Sequence, residues 1–192
     1  PLMALFDGHH VRISCLVKTS REKASKIGDM IGWRVREDDV PYRFVRHPTP
    51  EQVKRASGPM WIGPLWDKDI AGRMTEEKVL EFCQATPEEI EVMKTVGLEW
   101  SAEDVEYSTR ELRRSVRYIS EAADLMSREH LLLNLDSLPR WAGIGGAPKL
   151  EKLIASLIED GHCAARLPDL EPLLITDAPF ETVLQHVRKN SP

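Results

Sequence analysis

The sequence predicts an α+β domain: a small antiparallel sheet with helices packed on one side (a two-layer sandwich), plus a helical portion. Three observations predict it. Short runs that are β-branched or alternate in polarity cluster in the first third, at 11–18, 31–36 and 42–46, and again near the end, at 163–167 and 173–176. Helical periodicity with recognisable caps fills most of the region between 67 and 128. No internal repeat and no glycine-rich strand-to-helix turn of a doubly wound sheet interrupts this pattern.

Residues 11–18 (VRISCLVK) read as a strand beginning near His9. Thr19 or Ser20 caps a short helix running to about Gly28, with Ala24 and Ile27 inside. Residues 31–36 (IGWRVR) alternate apolar and basic, a strand with one wet face on which Arg34 and Arg36 point the same way. Residues 42–46 (YRFVR) alternate similarly, Arg43 opposite in phase to Phe44, and 50–57 form one or two helical turns.

The stretch GPMWIGPLWD at 58–67 is the element around which the rest of the chain is organised. Each of its Gly-Pro pairs combines a residue free to take positive φ with one whose φ is fixed. The apolar run between them is too short for a helix, so a buried strand or wedge entering and leaving the core through two bends is expected.

Residues 67–74 and 75–84 look helical, the second capped by Thr75. Thr86-Pro87-Glu88-Glu89 combines a cap, a proline at the first position and a capping-box acid, and its helix ends near Gly97. Ser101 opens a long helix in which Val105, Leu112, Val116, Ile119, Ala123 and Met126 make an apolar stripe. Arg110, Arg113, Arg114 and Arg117 lie off that stripe as a basic flank. Residues 131–135 read as a buried strand and Gly143–Gly146 as a turn. The 148–160 helix points Leu150, Leu153, Ile154, Leu157 and Ile158 inward and stops at Gly161. Two short strands and a helix from Pro179 to about Lys189 complete the chain.

A chain of 192 residues, 42% hydrophobic and 30% charged, suits one globular domain. It holds no apolar run of membrane-spanning length, so no membrane partner is expected. Cys15, Cys83 and Cys163 lie far apart, which argues against a disulfide framework or a zinc site and suits the cytoplasm. The formal net charge of −5 is unevenly spread. Residues 1–75 carry 13 Lys and Arg against 9 Asp and Glu, whereas residues 76–106 carry 2 against 10. A basic first third can therefore face RNA despite the negative total.

No nucleophile motif, metal-ligand cluster, S-adenosylmethionine turn or D/N-P-P-Y methyltransferase motif is present, so the chain alone is expected to be catalytically inert. What remains is binding. His10, Arg12, Arg34, Arg36, Arg43 and Arg46, with Trp33 and Trp61 nearby, supply phosphate contacts and stacking faces suited to folded RNA. The Gly-Pro repeat also marks Trp61 and Trp66 as structural.

Four segments resemble, in order, the C-terminal domain of the tRNA (guanine(26)-N2)-dimethyltransferase family. They are Pro1-Leu2 with His9-His10-Val11-Arg12; GPMWIGPLWD, similar to the family's GPLW-x-GPL; Pro148–Gly161 running into His162–Arg166; and Thr176-Asp177-Ala178-Pro179, similar to K-T-D-A-P. The sequence departs from the family at 36–57, which lacks a cysteine cluster, at Leu167 and Pro168 in place of T-H, and at Ile175 in place of Lys. The family's His and Lys there are natural RNA or interdomain contacts.

The resemblance implies that residues 1–192 form a tRNA-recognition domain; the run of helices at 67–128 reads separately as a helical subdomain. It implies a preceding Rossmann methyltransferase domain, absent from this chain, that binds S-adenosylmethionine without a metal. The chain begins at Pro1 and is therefore expected to be a piece of something longer. tRNA is the implied partner, with Arg12, Arg34, Arg36 and Arg166 the leading phosphate contacts. The alternative from another class is a protein-interaction module that docks a basic partner through its acidic 76–106 block.

Overall fold

A computed structural model describes residues 2–6, 11–83, 85–167 and 172–191. Strands β1 (Met3–Phe6) and β2 (Val11–Ser14) form an antiparallel ribbon, Met3 opposite Ser14. The 11–18 strand therefore ends at Ser14, since β1 is too short to pair more of it. Helix α1 (Arg21–Lys26) is capped as expected by Ser20, whose hydroxyl accepts from the Lys23 N–H at 3.2 Å. It buries nothing, and Ala24 and Ile27 are exposed rather than inside.

The second sheet places β3 (Ile31–Val35) between β4 (Arg43–Val45) and β5 (Ala56–Trp61), both antiparallel to it. Helix α2 (Pro50–Val53) joins β4 to β5 behind a capping box of Thr49 and Gln52. A Cβ on Gly32 would lie 2.5 Å from Ile62 Cδ1 and 3.0 Å from the Val45 carbonyl oxygen, so a side chain here would have to displace Ile62 and press on the backbone of β4.

The Gly-Pro segment departs from the expected wedge. Strand β5 continues through Gly58 and Pro59 only with a bulge: Gly32 pairs with Met60 but Arg34 with Ser57, the Gly58–Pro59 peptide bond is cis and Gly58 has φ 151°. Residues 60–62 are half-buried, the second pair turns the chain out of the strand, and beyond it Trp66 enters the core. The Trp66 indole Nε1–H donates to the Ala4 carbonyl at 2.7 Å, and the Asp67 N–H donates to the Leu2 carbonyl at 2.8 Å. The Leu65 and Trp66 N–H groups both donate to the Met126 carbonyl, at 3.1 and 3.3 Å. One short turn thus joins the first ribbon, the second sheet and the end of a helix far along the chain.

Helices α3 (Lys68–Gly72), α4 (Glu76–Cys83), α5 (Pro87–Thr95) and α6 (Ala102–Met126) follow the expected order and caps. On α6 the stripe is half-buried at Val105 and Leu112 and fully buried from Val116 onward. The basic flank is partly neutralised: Arg113 pairs with Glu76 of α4 at 2.9 Å and Arg114 with Glu111 at 2.9 Å.

β6 (Leu131–Asn134) is followed by α7 (Leu138–Ala142), which the sequence pattern does not announce, and by α8 (Leu150–Glu159). Then come β7 (Ala164–Leu167), β8 (Leu173–Thr176) and α9 (Phe180–Asn190). The third sheet has the order β6-β8-β7, antiparallel throughout. Of the five apolar residues expected to point inward on α8, Ile158 is exposed, and Ser156 is buried in the helix instead.

The α+β class is borne out, with strands in three small antiparallel sheets among the described residues. The layering is fuller than a single covered face. On β8, Leu174 packs with Leu153, Leu157, Val183 and Val187 of α8 and α9. Its neighbour Ile175 packs on the opposite face with Ile119, Ala122 and Met126 of α6. The runs LLLN and LLIT are apolar at successive positions, and a strand apolar on both faces requires cover on both.

Candidate nucleic-acid interface

Strand alternation builds the most distinctive surface of the molecule. Arg34 on β3 lies directly opposite Phe44 on β4, so both side chains stand on one face of the second sheet. With a period of two, Tyr42, Phe44 and Arg46 share that face. The four line a cavity of about 570 Å³, which Trp61 and Ile62 at the end of β5 and Arg128 and His130 before β6 close.

Tyr42 holds the two walls together. Its hydroxyl accepts from the Leu132 N–H at 2.8 Å and donates to the Leu132 carbonyl at 3.2 Å, pinning β4 to the edge strand β6. Burial pushes the phenol pKa up, against the lowering influence of the Leu132 bond and of Arg34. The Arg34 guanidinium lies over the Tyr42 ring, 4.4 Å from its centroid, and the rings of Tyr42 and Phe44 are 5.3 Å apart.

The cations of this cavity differ in freedom. Arg34 forms no ion pair among the described residues, and Arg46 has only Asp29 at 3.7 Å, both of that pair being well exposed. Arg128 is engaged twice: Nε–H donates to Asp124 and Nη1–H to Asp177, each at 2.9 Å. Arg34 and Arg46 are therefore the charges available to a ligand, and Arg128 is part of the wall.

The other residues singled out from sequence fall elsewhere. Arg43, opposite in phase to Phe44, is held by Asp39 at 2.6 Å. Arg36 lies one residue past β3, exposed. Arg12 projects from the separate β1–β2 ribbon, also exposed. Arg166 is on β7, the edge of the third sheet opposite β6, where its guanidinium lies over Tyr118 and meets Glu151 at 3.6 Å. His10 lies outside the described residues. Sequence reasoning missed Arg128 and His130, because no local signal announces a contact formed across 90 residues by Tyr42 and Leu132.

Two of the positions at which the sequence departs from the family it resembles lie in the core. Leu167 and Ile175 are both buried among the α6 side chains, so here these positions offer no surface to RNA or to a neighbouring domain.

One group of side chains has the connectivity of a nucleophile relay: Ser156 Oγ lies 3.0 Å from His186 Nδ1, and His186 Nε2 lies 3.3 Å from Asp160. Ser156 is buried, donates back to the Leu153 carbonyl and accepts from Asn190 Nδ2, so the group staples α8 to α9 and presents no nucleophile. Among the described residues no three His, Cys, Asp or Glu side chains are placed to hold a metal, and no helix is long and apolar enough to cross a membrane. All described strand pairings are antiparallel, so the residues present do not build the glycine-rich parallel βα crevice that S-adenosylmethionine binding of the Rossmann type requires.

No protein-family model matches the chain. It is 25% identical over 198 residues to the tRNA (guanine(26)-N(2))-dimethyltransferase of Thermococcus kodakarensis, covering 98% of this chain and 42% of that protein. It is 27% identical over 169 residues to the enzyme of the same name from Pyrobaculum calidifontis, covering 86% of this chain and 35% of that protein. The fold is shared with Trm1 of Pyrococcus horikoshii, solved in complex with S-adenosyl-L-methionine: the TM-score is 0.61 at 19% identity, over 97% of this chain and 43% of that one. The resemblance carried by the sequence motifs is borne out by these relatives, and the chain spans about two fifths of their length.

Proposed function

We propose that this chain is the tRNA-gripping domain of an S-adenosylmethionine-dependent tRNA (guanine-N2)-dimethyltransferase. The observation that carries the reading is the shared face of Arg34, without an ion pair among the described residues, and Arg46, held only by exposed Asp29 at 3.7 Å, beside the exposed ring of Phe44. Arg12 and Arg36, exposed and without ion pairs among the described residues, lie outside this cavity and are further cations open to phosphate. Methyl transfer to the guanine amino group belongs to a separate Rossmann domain that holds the cofactor. The grip fixes the tRNA body so that the target guanine reaches that domain's pocket, converting a diffusive encounter into a positioned one. Arg166 lines a different cavity, beside Tyr118 and Glu151, and is left outside this grip.

Filter binding of bulk tRNA over a range of salt tests this reading. Reversing both charges in an Arg34→Glu, Arg46→Glu variant is expected to weaken binding at least tenfold at low salt. It should also reduce the slope of log K against log salt by about 1 to 2. Unchanged affinity and slope in a folded variant would overturn the proposal.

A second reading has its own observation. Helices α4 and α5 bury no residue, and Phe82, Val92 and Val96 are 79%, 64% and 71% exposed among the acids of the 76–106 block. An apolar, acid-rimmed surface of this kind suits a basic protein partner. The absence of any salt-sensitive complex with tRNA in a gel shift would favour it over the first reading.

A further inference from the structure

The arginines explain how a phosphate is met, but not why the same cavity is lined with aromatic and aliphatic surface. Phe44 is 45% exposed on a face that carries charge, with half-buried Trp61 across the cavity, and Met60, Ile62 and Leu65 continuing the apolar lining. A single exposed ring is ordinary on a protein surface, but a ring, a continuous apolar lining and two cations in one concavity together fit a ligand that is flat, apolar on its faces and anionic at one end. The Tyr42 ring below is no candidate for that contact, since it is buried and its near face is taken by Arg34. The Trp61 indole is fixed in place by donation from Nε1–H to the Pro64 carbonyl at 3.0 Å, so its polar edge is already satisfied.

We propose that this cavity is a nucleobase-stacking site. Resting on the tRNA-binding reading, it takes one unpaired nucleotide of the bound RNA, with the base against Phe44 and Trp61 and the phosphate between Arg34 and Arg46. An A-form duplex presents ribose and phosphate and keeps its bases stacked inside, so it reaches the two arginines but leaves the aromatic wall unused. A splayed base fills the wall, and a volume of about 570 Å³ is ample for a single base with its sugar. Stacking is tolerant of base identity, so the site selects an unpaired position in a folded RNA rather than a particular letter.

Two probes separate this inference from the reading beneath it: bulk tRNA, and a blunt RNA duplex with no unpaired nucleotide. Phe44→Ala is expected to weaken tRNA binding about tenfold, with the salt slope unchanged and duplex affinity unchanged. Phe44→Leu, which keeps the apolar volume but loses the aromatic face, should reproduce most of that loss and guards against a misfolded alanine variant. Arg34→Glu, Arg46→Glu should weaken both probes. If Phe44→Ala and Phe44→Leu bind tRNA as the parent does while the arginine variant is impaired, the stacking site is overturned and the phosphate grip stands. Equal weakening of tRNA and duplex by the Phe44 variants also overturns it. If neither set of variants affects tRNA, the grip itself has failed.

Discussion

Trp66 shows how one side chain can set the relation between distant segments. Its ring is buried with Met3, Ala71 and Ile119, while its Nε1–H is satisfied by the Ala4 carbonyl at 2.7 Å. Trp66→Ala is expected to cost about 3–5 kcal/mol in urea unfolding, and Trp66→Phe, which removes mainly the hydrogen bond, about 1–3 kcal/mol. A midpoint that moves at constant m-value checks both. Asp177 gives the matching case for a charge. Burial alone would raise its pKa, but the Cys163 N–H, the Arg128 guanidinium and nearby His162 outweigh burial and hold it below the ordinary 3.8. A carboxylate whose pKa is depressed by folding stabilises the folded state above its unfolded pKa, and that stability is lost as pH falls through the folded value. Asp177→Asn should therefore lower stability at neutral pH and flatten the acid limb of the stability profile below about pH 4, read from urea unfolding between about pH 2 and 7.

The junction between strands β4 and β6 rests on a single phenol. Tyr42→Phe leaves both the N–H and the carbonyl of Leu132 without their partner, an expected cost of about 1–3 kcal/mol. Because the same hydroxyl ties the two walls of the cavity together, the variant should also weaken tRNA binding although the ring under Arg34 is kept, as a filter-binding titration would register. Strand β8 makes the opposite point, that a family position can change its environment. Ile175 is fully buried against α6, so restoring the family's lysine there introduces an unpaired charge. Ile175→Lys is expected to destabilise by on the order of 4 kcal/mol without any gain in RNA affinity, and thermal unfolding would report it.

Across the whole molecule, stability is concentrated in the third sheet. Leu174 and Ile175 are adjacent in sequence yet anchor two cores on opposite faces, so those cores share a strand and should open together. Helices α4 and α5 contribute no buried residue to either core. Hydrogen exchange should accordingly show the amides of α8, β8 and α9 as the slowest, and those of α4 and α5, like those of the short α1 and α2 that also bury nothing, as fast. Equal protection in both groups would contradict this distribution of stability.

Much of this was legible in the residues themselves. The capping boxes at Thr86 and Ser101, the stripe of α6 and the stop at Gly161 are local signals, and local backbone energetics decides them. Helix α7 was not, because Leu138–Ala142 is a single turn begun by a proline and held in place by the core it enters. Nor were the exposed Ala24, Ile27 and Ile158, since helical spacing says which residues share a face but not whether anything covers it. The same division holds for the proposed site. The alternation of YRFVR puts Phe44 and Arg46 on one face, but that Arg34 joins them is set by the pairing register of β3 with β4, which only the structure shows. That Arg128 and His130 close the cavity, that Arg43 is spent on Asp39 and that Arg166 lies on another edge were decided only by tertiary structure. Packing brings distant segments together by buried area, and that information is spread over the whole chain rather than written beside the residues it places.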